Sequence, residues 1–245
     1  MKNGKRCAAI VLAAGKGTRM GSEISKQYLP LLGKPVLFYS LQTFEKSFVD
    51  DIVIVAAENE IEYCRKEIVE RFDFHKVKQI VAGGKERYHS VACGLRAADC
   101  DYVFIHDGAR PFVDEAMLER LFDAVCEYGT AIAAMPVKDT VKIADEDGFA
   151  ISTPDRNLVW QMQTPQTFSY RPIREAYEKL LEAETSESAG APAACGPGSG
   201  LHITDDAMVM ETFGTLKVKL VEGSYRNIKI TTPEDMKIAE ALMSV

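Results

Sequence analysis

A loop of small residues near the start of the chain carries residue types that can hold a polyphosphate. Residues 12–21 read LAAGKGTRMG after an apolar run of strand length, and residues 25–30 read SKQYLP. Alanine and glycine let a backbone approach a ligand closely, and successive N–H groups can form a concave anion-binding nest. Arg19 and Lys26 add fixed positive charge. The pattern therefore predicts a site for a triphosphate.

Two well-known phosphate loops do not account for this segment. A Rossmann fingerprint would need its third glycine at the position of Met20. A Walker A loop would need a Gly-Lys-Ser/Thr triplet at a spacing that the sequence lacks. The plain alternative is a glycine-rich turn with two solvated basic side chains. The density of special residues favours anion binding over that alternative.

Two later segments place polar residues just after predicted strands. The first, GGKERYHS, contains Gly84 and Ser90, and its paired glycines again permit close backbone approach. The second, HDGARP, contains Asp107 and Arg110. An aspartate at the carboxyl edge of a sheet can hold Mg²⁺ that bridges phosphates, although a turn aspartate paired with Arg110 is the simpler alternative. We interpret His106 as a structural partner and not as a base.

Two further basic positions are ambiguous from the residues alone. Arg156 lies in a β-rich stretch that also contains Thr140, and one arginine on such a stretch is usually a surface residue. Lys229 alternates with Ile228 and Ile230, so it is expected on the face opposite to the core. An exposed edge lysine explains that pattern as well as a catalytic one does.

The elements that must position these residues alternate along the first half of the chain. Strands are predicted at 7–13, 51–57, 79–82, 102–106 and 130–137. Helices are predicted at 35–44, 60–71, 90–98 and 114–128, with Ser90 and Asp114 as N-caps. This order predicts a single α/β domain over residues 1–245, with a Rossmann-like, doubly wound, mostly parallel sheet.

The pattern changes after residue 137. Short β-like pieces at 140–144, 150–153 and 158–163 predict an inserted β-arm at about 138–163. Helices follow at 172–184 and 204–213, strands at 216–222 and 227–230, and a last helix has Thr232 as N-cap and Pro233 at N1. A Gly/Ala/Pro/Ser-rich run at about 185–200 predicts a flexible surface loop.

Composition limits the possible partners and compartment. The chain has 245 residues and a net charge of −7, which disfavours general binding to nucleic acid or anionic membranes. The basic start and the apolar run at 7–14 could suggest a signal peptide, but GKGTR at 15–19 interrupts the run, so we expect a cytoplasmic protein. The six cysteines form no CxxC pair, which predicts reduced core thiols.

The ordered motifs resemble those of the sugar-nucleotide-type nucleotidyltransferases, and more closely the 2-C-methyl-D-erythritol 4-phosphate cytidylyltransferase family of non-mevalonate isoprenoid synthesis. The similar segments are LAAGKGTRMG, SKQYLPLLGKP, AGGKERYHSVACGL, HDGARPFV, PVKDTVK, QTPQTF, ITDDAMVME and YRNIKITTPEDM. They run in order over about residues 9–239 and fail only at the Gly/Ala/Pro/Ser-rich loop. Several ordered motifs are far more specific than any one alone.

The resemblance implies CMP transfer from CTP to 2-C-methyl-D-erythritol 4-phosphate, with Mg²⁺ held at Asp107. It implies a homodimer in which Thr140 and Arg156 of the arm reach the neighbour's sugar phosphate. Implied catalytic residues are Arg19, Lys26, Arg156 and Lys229. Implied nucleotide-binding residues are Ala13, Ala14, Gly15, Gly17, Thr18, Gly84, Ser90, Asp107 and Gly108. Implied substrate-binding residues are Arg110, Thr140, Thr164 and Thr204.

Two alternatives stay open at this point. One is a related cytidylyltransferase that acts on ribitol 5-phosphate, because acceptor choice is the least secure step. The other is a nucleotide-binding sensor without turnover, against which the intact Arg19, Lys26 and Lys229 argue. The chain also departs from the family pattern at Lys85, where relatives often carry an acidic residue. Backbone recognition of the cytosine would survive that change, whereas side-chain recognition would not.

Overall fold

A seven-stranded sheet forms the centre of the protein, seen here in a computed structural model that describes residues 1–15, 25–188 and 203–244. The strands are β1 (Cys7–Ala13), β2 (Pro30–Leu31), β3 (Lys34–Pro35), β4 (Asp51–Ala56), β5 (Val77–Ala82), β6 (Tyr102–Asp107), β7 (Thr130–Pro136), β8 (Ile143–Ala144), β9 (Ala150–Ser152), β10 (Trp160–Ser169) and β11 (Leu220–Glu222). The helices are α1 (Val36–Lys46), α2 (Ile61–Tyr63), α3 (Arg87–Ala97), α4 (Glu115–Tyr128), α5 (Tyr170–Ser188), α6 (Asp206–Phe213) and α7 (Pro233–Met243). Within those ranges, no helix is long and apolar enough to cross a membrane.

The central sheet is mostly parallel. Its order is β11–β7–β10–β6–β1–β4–β5, and β10 runs antiparallel to both neighbours while the other described pairs are parallel. In the β1–β6 register, Leu12 lies opposite Asp107, so the carboxyl ends of these two strands meet. Open α/β sheets bind ligands at that edge. The predicted α/β fold class is confirmed.

Both faces of β1 are buried. Cys7, Ala9 and Val11 pack into one apolar cluster, with side chains of α1 and α4. Ala8 and Ile10 pack into a second cluster on the other face, with side chains of α3 and α5. Two covered faces explain the continuous apolar run of β1, because a strand with one wet face would alternate with polar residues. The predicted bounds of this strand are confirmed.

Strand β10 differs from the prediction. The sequence placed 158–163 in the arm, whereas Trp160–Ser169 is a ten-residue strand of the central sheet. Its buried part consists largely of glutamine and threonine, so the hydropathy pattern gave no strand signal. Gln166 bonds to Asp205 and to the backbone of Ala207, which compensates the burial of its amide.

The start of α3, the segment 227–230 and the end of α5 also differ from the prediction. Helix α3 begins before Ser90, at Arg87, with Glu86 as its cap. Residues 227–230 form no strand, because in the described structure a single backbone–backbone bond, from the Ile230 N–H, joins this segment to the turn after β6 and no ladder forms. Residues 185–188, predicted as loop, continue α5, while most of the predicted flexible run lies outside the described residues.

Helix caps that the sequence signalled are confirmed. Asp114 caps α4 by accepting from the Met117 N–H at 2.7 Å. Thr232 and Asp235 form a capping box at the start of α7, with Pro233 at N1. Both motifs satisfy backbone donors that a helix start leaves free. These caps fix the entry of the two helices next to the segments that carry Asp107 and Lys229.

The inserted arm contains a small hairpin. Strands β8 and β9 pair antiparallel, as expected, and most residues between 138 and 158 are exposed. The hairpin makes no strand pairing with the central sheet, so its fold does not depend on the core. Its large apolar side chains are therefore left uncovered in a single chain.

The cysteines only partly match the prediction of core thiols. The five within the described ranges are free of disulfides, and Cys7 and Cys64 are buried. Burial raises the pKa of the Cys7 thiol to about 12 and that of Cys64 to about 11, so both stay protonated. Cys126 is exposed, which contradicts a core role there. Cys195 lies outside the described residues.

Candidate active site

A cavity of about 360 Å³ opens at the edge where β1 and β6 end. The start of α3 and the segment before α7 complete its walls. Seven of the residues singled out from the sequence line it: Ala14, Gly15, Lys26, Gly84, Ser90, Asp107 and Lys229. The fold thus brings together residues that are more than 200 positions apart in the chain. Its lining combines four basic side chains, Lys26, Lys85, Arg87 and Lys229, with the acidic Glu86 and Asp107.

Asp107 lies at the floor of this cavity among three cations. Lys229 Nζ is 2.7 Å from Asp107 Oδ2, Arg87 Nε is 3.2 Å from Oδ1, and Arg110 Nε is 3.9 Å from Oδ2. Burial alone would raise the pKa of Asp107, but Arg87, Lys229 and Arg110 hold it well below its usual range. The carboxylate is therefore ionised at any physiological pH.

Asp206 in turn anchors Arg87. Its two terminal nitrogens donate to the two oxygens of Asp206, each at 2.9 Å. The fully buried Asp206 also accepts from the Tyr177 hydroxyl at 2.6 Å. Although burial lowers the pKa of Arg87, Asp206 and Asp107 raise it well above its usual value, so the guanidinium stays charged. This chain joins the starts of α3 and α6 to α5 and to the end of β6.

Sequence reasoning missed Arg87 and Asp206 as site residues. Both occur within motifs that it quoted, GGKER and TDDA, but the motifs are 119 residues apart. A buried bidentate pair at that separation leaves no local pattern to detect. Gln27 was also missed; it lines the cavity, and its amide donates to the carbonyl of Ala13.

The glycine loop before α3 is tightly packed. A Cβ at Gly84 would lie 2.3 Å from the Cβ of His89, so no larger residue fits there without moving the loop. Ser90 Oγ accepts from the Gly84 N–H at 3.1 Å and donates to the Glu86 carbonyl at 3.2 Å. Ser90 therefore connects the loop at Gly84 to helix α3 and is not the N-cap of that helix.

Gly108 and Ala13 lie beside the cavity and are not among its lining residues. A Cβ at Gly108 would lie 2.7 Å from Leu37 Cδ1 and 2.9 Å from the Leu12 carbonyl. The glycine lets the turn after β6 close on the end of β1. Ala13 is buried in the core and accepts the bond from Gln27. Direct nucleotide contact by these two residues stays a prediction.

Thr164 and His106 hold the backbone of Asp107. The Asp107 N–H donates to Thr164 Oγ1 at 3.0 Å, and this buried hydroxyl also bonds His106 Nδ1 at 3.1 Å. Burial lowers the pKa of His106 to about 4, so its ring is neutral near pH 7. The geometry agrees with a structural histidine. Substrate contact by Thr164 stays a prediction.

Arg110 and Asn227 connect this turn to the segment that carries Lys229. Arg110 Nη1 donates to the Asn227 carbonyl at 2.8 Å, and Asn227 Nδ2 donates to the Thr164 carbonyl at 2.8 Å. The Ile230 N–H donates to the Ala109 carbonyl at 2.9 Å. Lys229 thus reaches Asp107 from an irregular but well-bonded segment, which explains its position without a strand.

A sequence model of one protein family covers almost the whole chain. The family is 2-C-methyl-D-erythritol 4-phosphate cytidylyltransferase (IspD), and the match runs over residues 7–245. The chain belongs to this family. The enzyme is therefore a cytidylyltransferase, a class of nucleotidyltransferase.

Individual relatives of the enzyme agree in name and in length. A 2-C-methyl-D-erythritol 4-phosphate cytidylyltransferase of Lachnospira eligens is 50% identical over 94% of this chain and 96% of its own length. One of Lachnoclostridium phytofermentans is 46% identical over 98% of this chain and 97% of its own. The crystal structure of 4-diphosphocytidyl-2C-methyl-D-erythritol synthase from Anaerococcus prevotii is 35% identical, covers 99% of this chain and 98% of its own, and has a TM-score of 0.82.

The arm residues of the enzyme lie away from the cavity within one chain. Arg156 is exposed, and its Nη1 donates to the Lys138 carbonyl at 3.1 Å. Thr140 is also exposed. Neither residue lines the cavity. Their predicted roles therefore need a site formed with another chain.

The remaining predicted residues are placed as follows. Thr204 is exposed just before α6, and its hydroxyl contacts Met208 Sδ at 3.8 Å. Gly17, Thr18 and Arg19 lie outside the described residues. The roles assigned to these residues stay predictions.

Proposed function

We propose that this cavity catalyses the reaction of CTP with 2-C-methyl-D-erythritol 4-phosphate to give 4-diphosphocytidyl-2-C-methyl-D-erythritol and pyrophosphate. The observation that carries the proposal is the placement of Lys26 and Lys229 around Asp107 at the carboxyl edge of the sheet. Membership of the cytidylyltransferase family supports CTP as the nucleotide and the methylerythritol phosphate as the acceptor.

The chemistry is one displacement at phosphorus. An oxygen of the sugar phosphate attacks the α-phosphorus of CTP, and the bond to the β-phosphate oxygen breaks, with its electron pair leaving on pyrophosphate. The attacking phosphate is already an anion near neutral pH, so no side chain need remove a proton. Because both reactants are negative, the barrier consists largely of repulsion and positioning. Fixed cations such as Lys26 and Lys229 lower it by stabilising charge on the transferring group.

The nucleotide end of the site is assigned to the loop before α3. Gly84, Lys85, Glu86 and Ser90, from this loop and the first turn of α3, line the cavity. Gly84 lines it without a side chain, and backbone groups can read a base edge irrespective of the side chain at 85. We assign cytosine and ribose binding to this loop.

Mg²⁺ is proposed as the cofactor. Over the described ranges, no three His, Cys, Asp or Glu side chains cluster as a metal site, and the carboxylates that line the cavity are those of Asp107 and Glu86. That donor set fits Mg²⁺, which binds through one or two carboxylates and takes its other ligands from phosphates and water. When bound, the ion would neutralise charge on the triphosphate. Lys229 and Arg87 hold the Asp107 carboxylate ionised and oriented at the cavity floor.

One assay separates the proposed reaction from its two alternatives. Pyrophosphate release is measured with CTP and either 2-C-methyl-D-erythritol 4-phosphate or ribitol 5-phosphate. We expect release with the first acceptor and at least 10²-fold lower kcat/KM with the second, because the site must pair with the acceptor's own hydroxyls. Preference for ribitol 5-phosphate would reassign the acceptor, and CTP binding without any release would identify a sensor.

A homodimer is proposed from the arm. On the β8–β9 hairpin, Phe149 is 73% exposed and Ile151 is 66% exposed, and Leu158, further along the arm, is 79% exposed, which is unusual for large apolar side chains grouped in one segment. Burial against a second copy would remove this surface from water. The same contact would carry Thr140 and Arg156 towards the partner's cavity, which they do not reach in their own chain.

Replacing Arg156 by alanine tests the shared site. We expect KM for the sugar phosphate to rise roughly 10-fold or more while KM for CTP changes less than about twofold, because loss of a charged hydrogen bond weakens one substrate only. Steady-state kinetics with each substrate varied in turn measures both. Equal effects on the two constants would make Arg156 a structural residue.

Mixing variants tests the exchange between chains. In a heterodimer of Arg156→Ala and Lys26→Ala chains, one site carries both defects and the other carries neither if the arm crosses over. Each heterodimer should therefore have up to about half the activity of a wild-type dimer, because one of its two sites is intact. Differently tagged chains purified through both tags in succession confirm that heterodimers formed, and heterodimers without recovered activity remove the shared site.

A further inference from the structure

We propose that Glu184, near the end of α5, is a positioning residue for the nucleotide half of the cavity. It would act through Tyr88 and His89, which follow the loop that lines the cavity. The proposal rests on the proposed function, because it takes CTP as the ligand of that loop. No motif or resemblance pointed to Glu184, which is 95 residues from His89 in the chain.

The contact consists of two hydrogen bonds to one carboxylate. The Tyr88 hydroxyl donates to Glu184 Oε1 at 2.8 Å, and His89 Nε2 lies 2.8 Å from Glu184 Oε2. The two rings lie against each other with centroids 4.3 Å apart. All three side chains are partly buried. One residue of α5 therefore fixes two successive residues at the start of α3.

The backbone decides which nitrogen of His89 carries the proton. The Glu86 N–H donates to His89 Nδ1 at 3.2 Å, so Nδ1 accepts and has no hydrogen. The ring proton then lies on Nε2, which donates to Glu184. An acceptor is required at position 184, and a donor there would face the Nε2–H.

His89 connects the Glu184 contact to the wall of the cavity. The Cβ of His89 lies 2.3 Å from where a Cβ of Gly84 would be, and Gly84 and Glu86 both line the cavity. The same imidazole holds the backbone of Glu86 through Nδ1. Releasing His89 from Glu184 would therefore loosen the wall that we assign to cytosine and ribose, and would leave Lys26 and Lys229 in place.

The decisive variant is Glu184→Gln. Glutamine has one acceptor oxygen in place of two and no charge, so it cannot accept from both the Tyr88 hydroxyl and the Nε2–H of His89, and neither bond is charge-assisted any longer. We expect KM for CTP to rise about 5- to 10-fold with kcat within about twofold, as for the loss of one charge-assisted bond in ground-state binding. KM for the sugar phosphate should not change. Glu178→Gln, on the same helix and paired only with Arg174 in its described contacts, is the matched control and should have no effect.

Two further measurements keep the test independent of catalysis. Amide hydrogen exchange across residues 83–90 of the ligand-free protein should speed up in Glu184→Gln and not in Glu178→Gln. The ¹⁵N shifts of the His89 ring should report a neutral Nε2–H form in the wild type. If the wild type does not turn over CTP, the proposed function fails. The exchange and ¹⁵N data still decide whether Glu184 holds His89 and the loop before α3 in position. Unchanged exchange, or a lower melting temperature with an unchanged KM for CTP, overturns the positioning role.

Discussion

Replacing Lys26 by alanine is expected to lower kcat by roughly 10²-fold or more, while KM for CTP rises much less. Lys26 is the first residue of a short 3₁₀ turn that follows the glycine-rich segment 12–21 in the chain. It lines the same cavity as Asp107 and Lys229. Charge on the α-phosphoryl group and on the departing pyrophosphate builds up in the transition state, so a cation there contributes more to turnover than to binding. Steady-state pyrophosphate release with both substrates saturating measures the effect.

Two variants make this experiment specific. Lys66→Ala removes a lysine of the surface, where Nζ pairs with Glu62 at 3.3 Å, and should leave kcat unchanged. Lys26→Arg keeps the positive charge and should retain more activity than alanine, although its planar head fits a different geometry. If Lys26→Ala turns over at the rate of Lys66→Ala, Lys26 has no role in the chemical step.

The parts of the fold that the sequence predicted well are those whose neighbours along the chain determine their burial. Strand β1 is buried on both faces, so seven successive residues carry the signal and the predicted bounds match. The N-cap Asp114 and the capping box at Thr232 were equally local, because each motif acts on backbone groups within three residues.

Elements that depend on distant partners were missed. β10 is a central strand in which the buried Gln166 bonds to the start of α6 and the buried Thr164 bonds to the end of β6, so no alternation marks it. The segment around Lys229 looked like a strand from its isoleucines, yet it is irregular because Asn227 bonds across to Thr164. In both cases the compensating partner lies at least 39 residues away.

The candidate site shows the same division. Lys26, Asp107 and Gly84 stand in motifs whose residue types suggest their chemistry, and the structure brings them to one cavity. Arg87 and Asp206 could not be assigned, because an ion pair across 119 residues has no period or spacing of its own. The resemblance to a family supplied a prediction that spacing could not, namely a role for Thr140 and Arg156 of the arm, which do not line the cavity of their own chain.

Asp107→Asn is expected to lower kcat by roughly 10²-fold and also to destabilise the fold. Asparagine is nearly the same size, but it removes the charge that faces Arg87, Lys229 and Arg110. Removing one member of a buried ionic cluster costs about 3 to 5 kcal/mol of folding stability. Because Lys229 and Arg87 are partly exposed, we expect Asp107→Asn to lose an amount at the lower end of that range. Thermal melts at pH 7 measure the stability, and pyrophosphate release measures the turnover.

The pH dependence of stability distinguishes this charge effect from a packing defect. The pKa of Asp107 in the folded protein lies well below its usual range, because three cations outweigh the cost of burial. Its contribution is therefore fully present above about pH 4, the pKa of an unfolded aspartate, and is lost as the pH falls towards the lower folded value. The melting temperatures of wild type and Asp107→Asn should differ most near neutral pH, and the difference should begin to shrink as the pH falls below about pH 4. Asp73→Asn, an exposed change at a left-handed backbone position that asparagine tolerates, should shift neither the melt nor its pH profile. A gap between wild type and Asp107→Asn that stays constant from pH 7 to pH 3 would mean that asparagine disturbs packing and that the cation cluster contributes little.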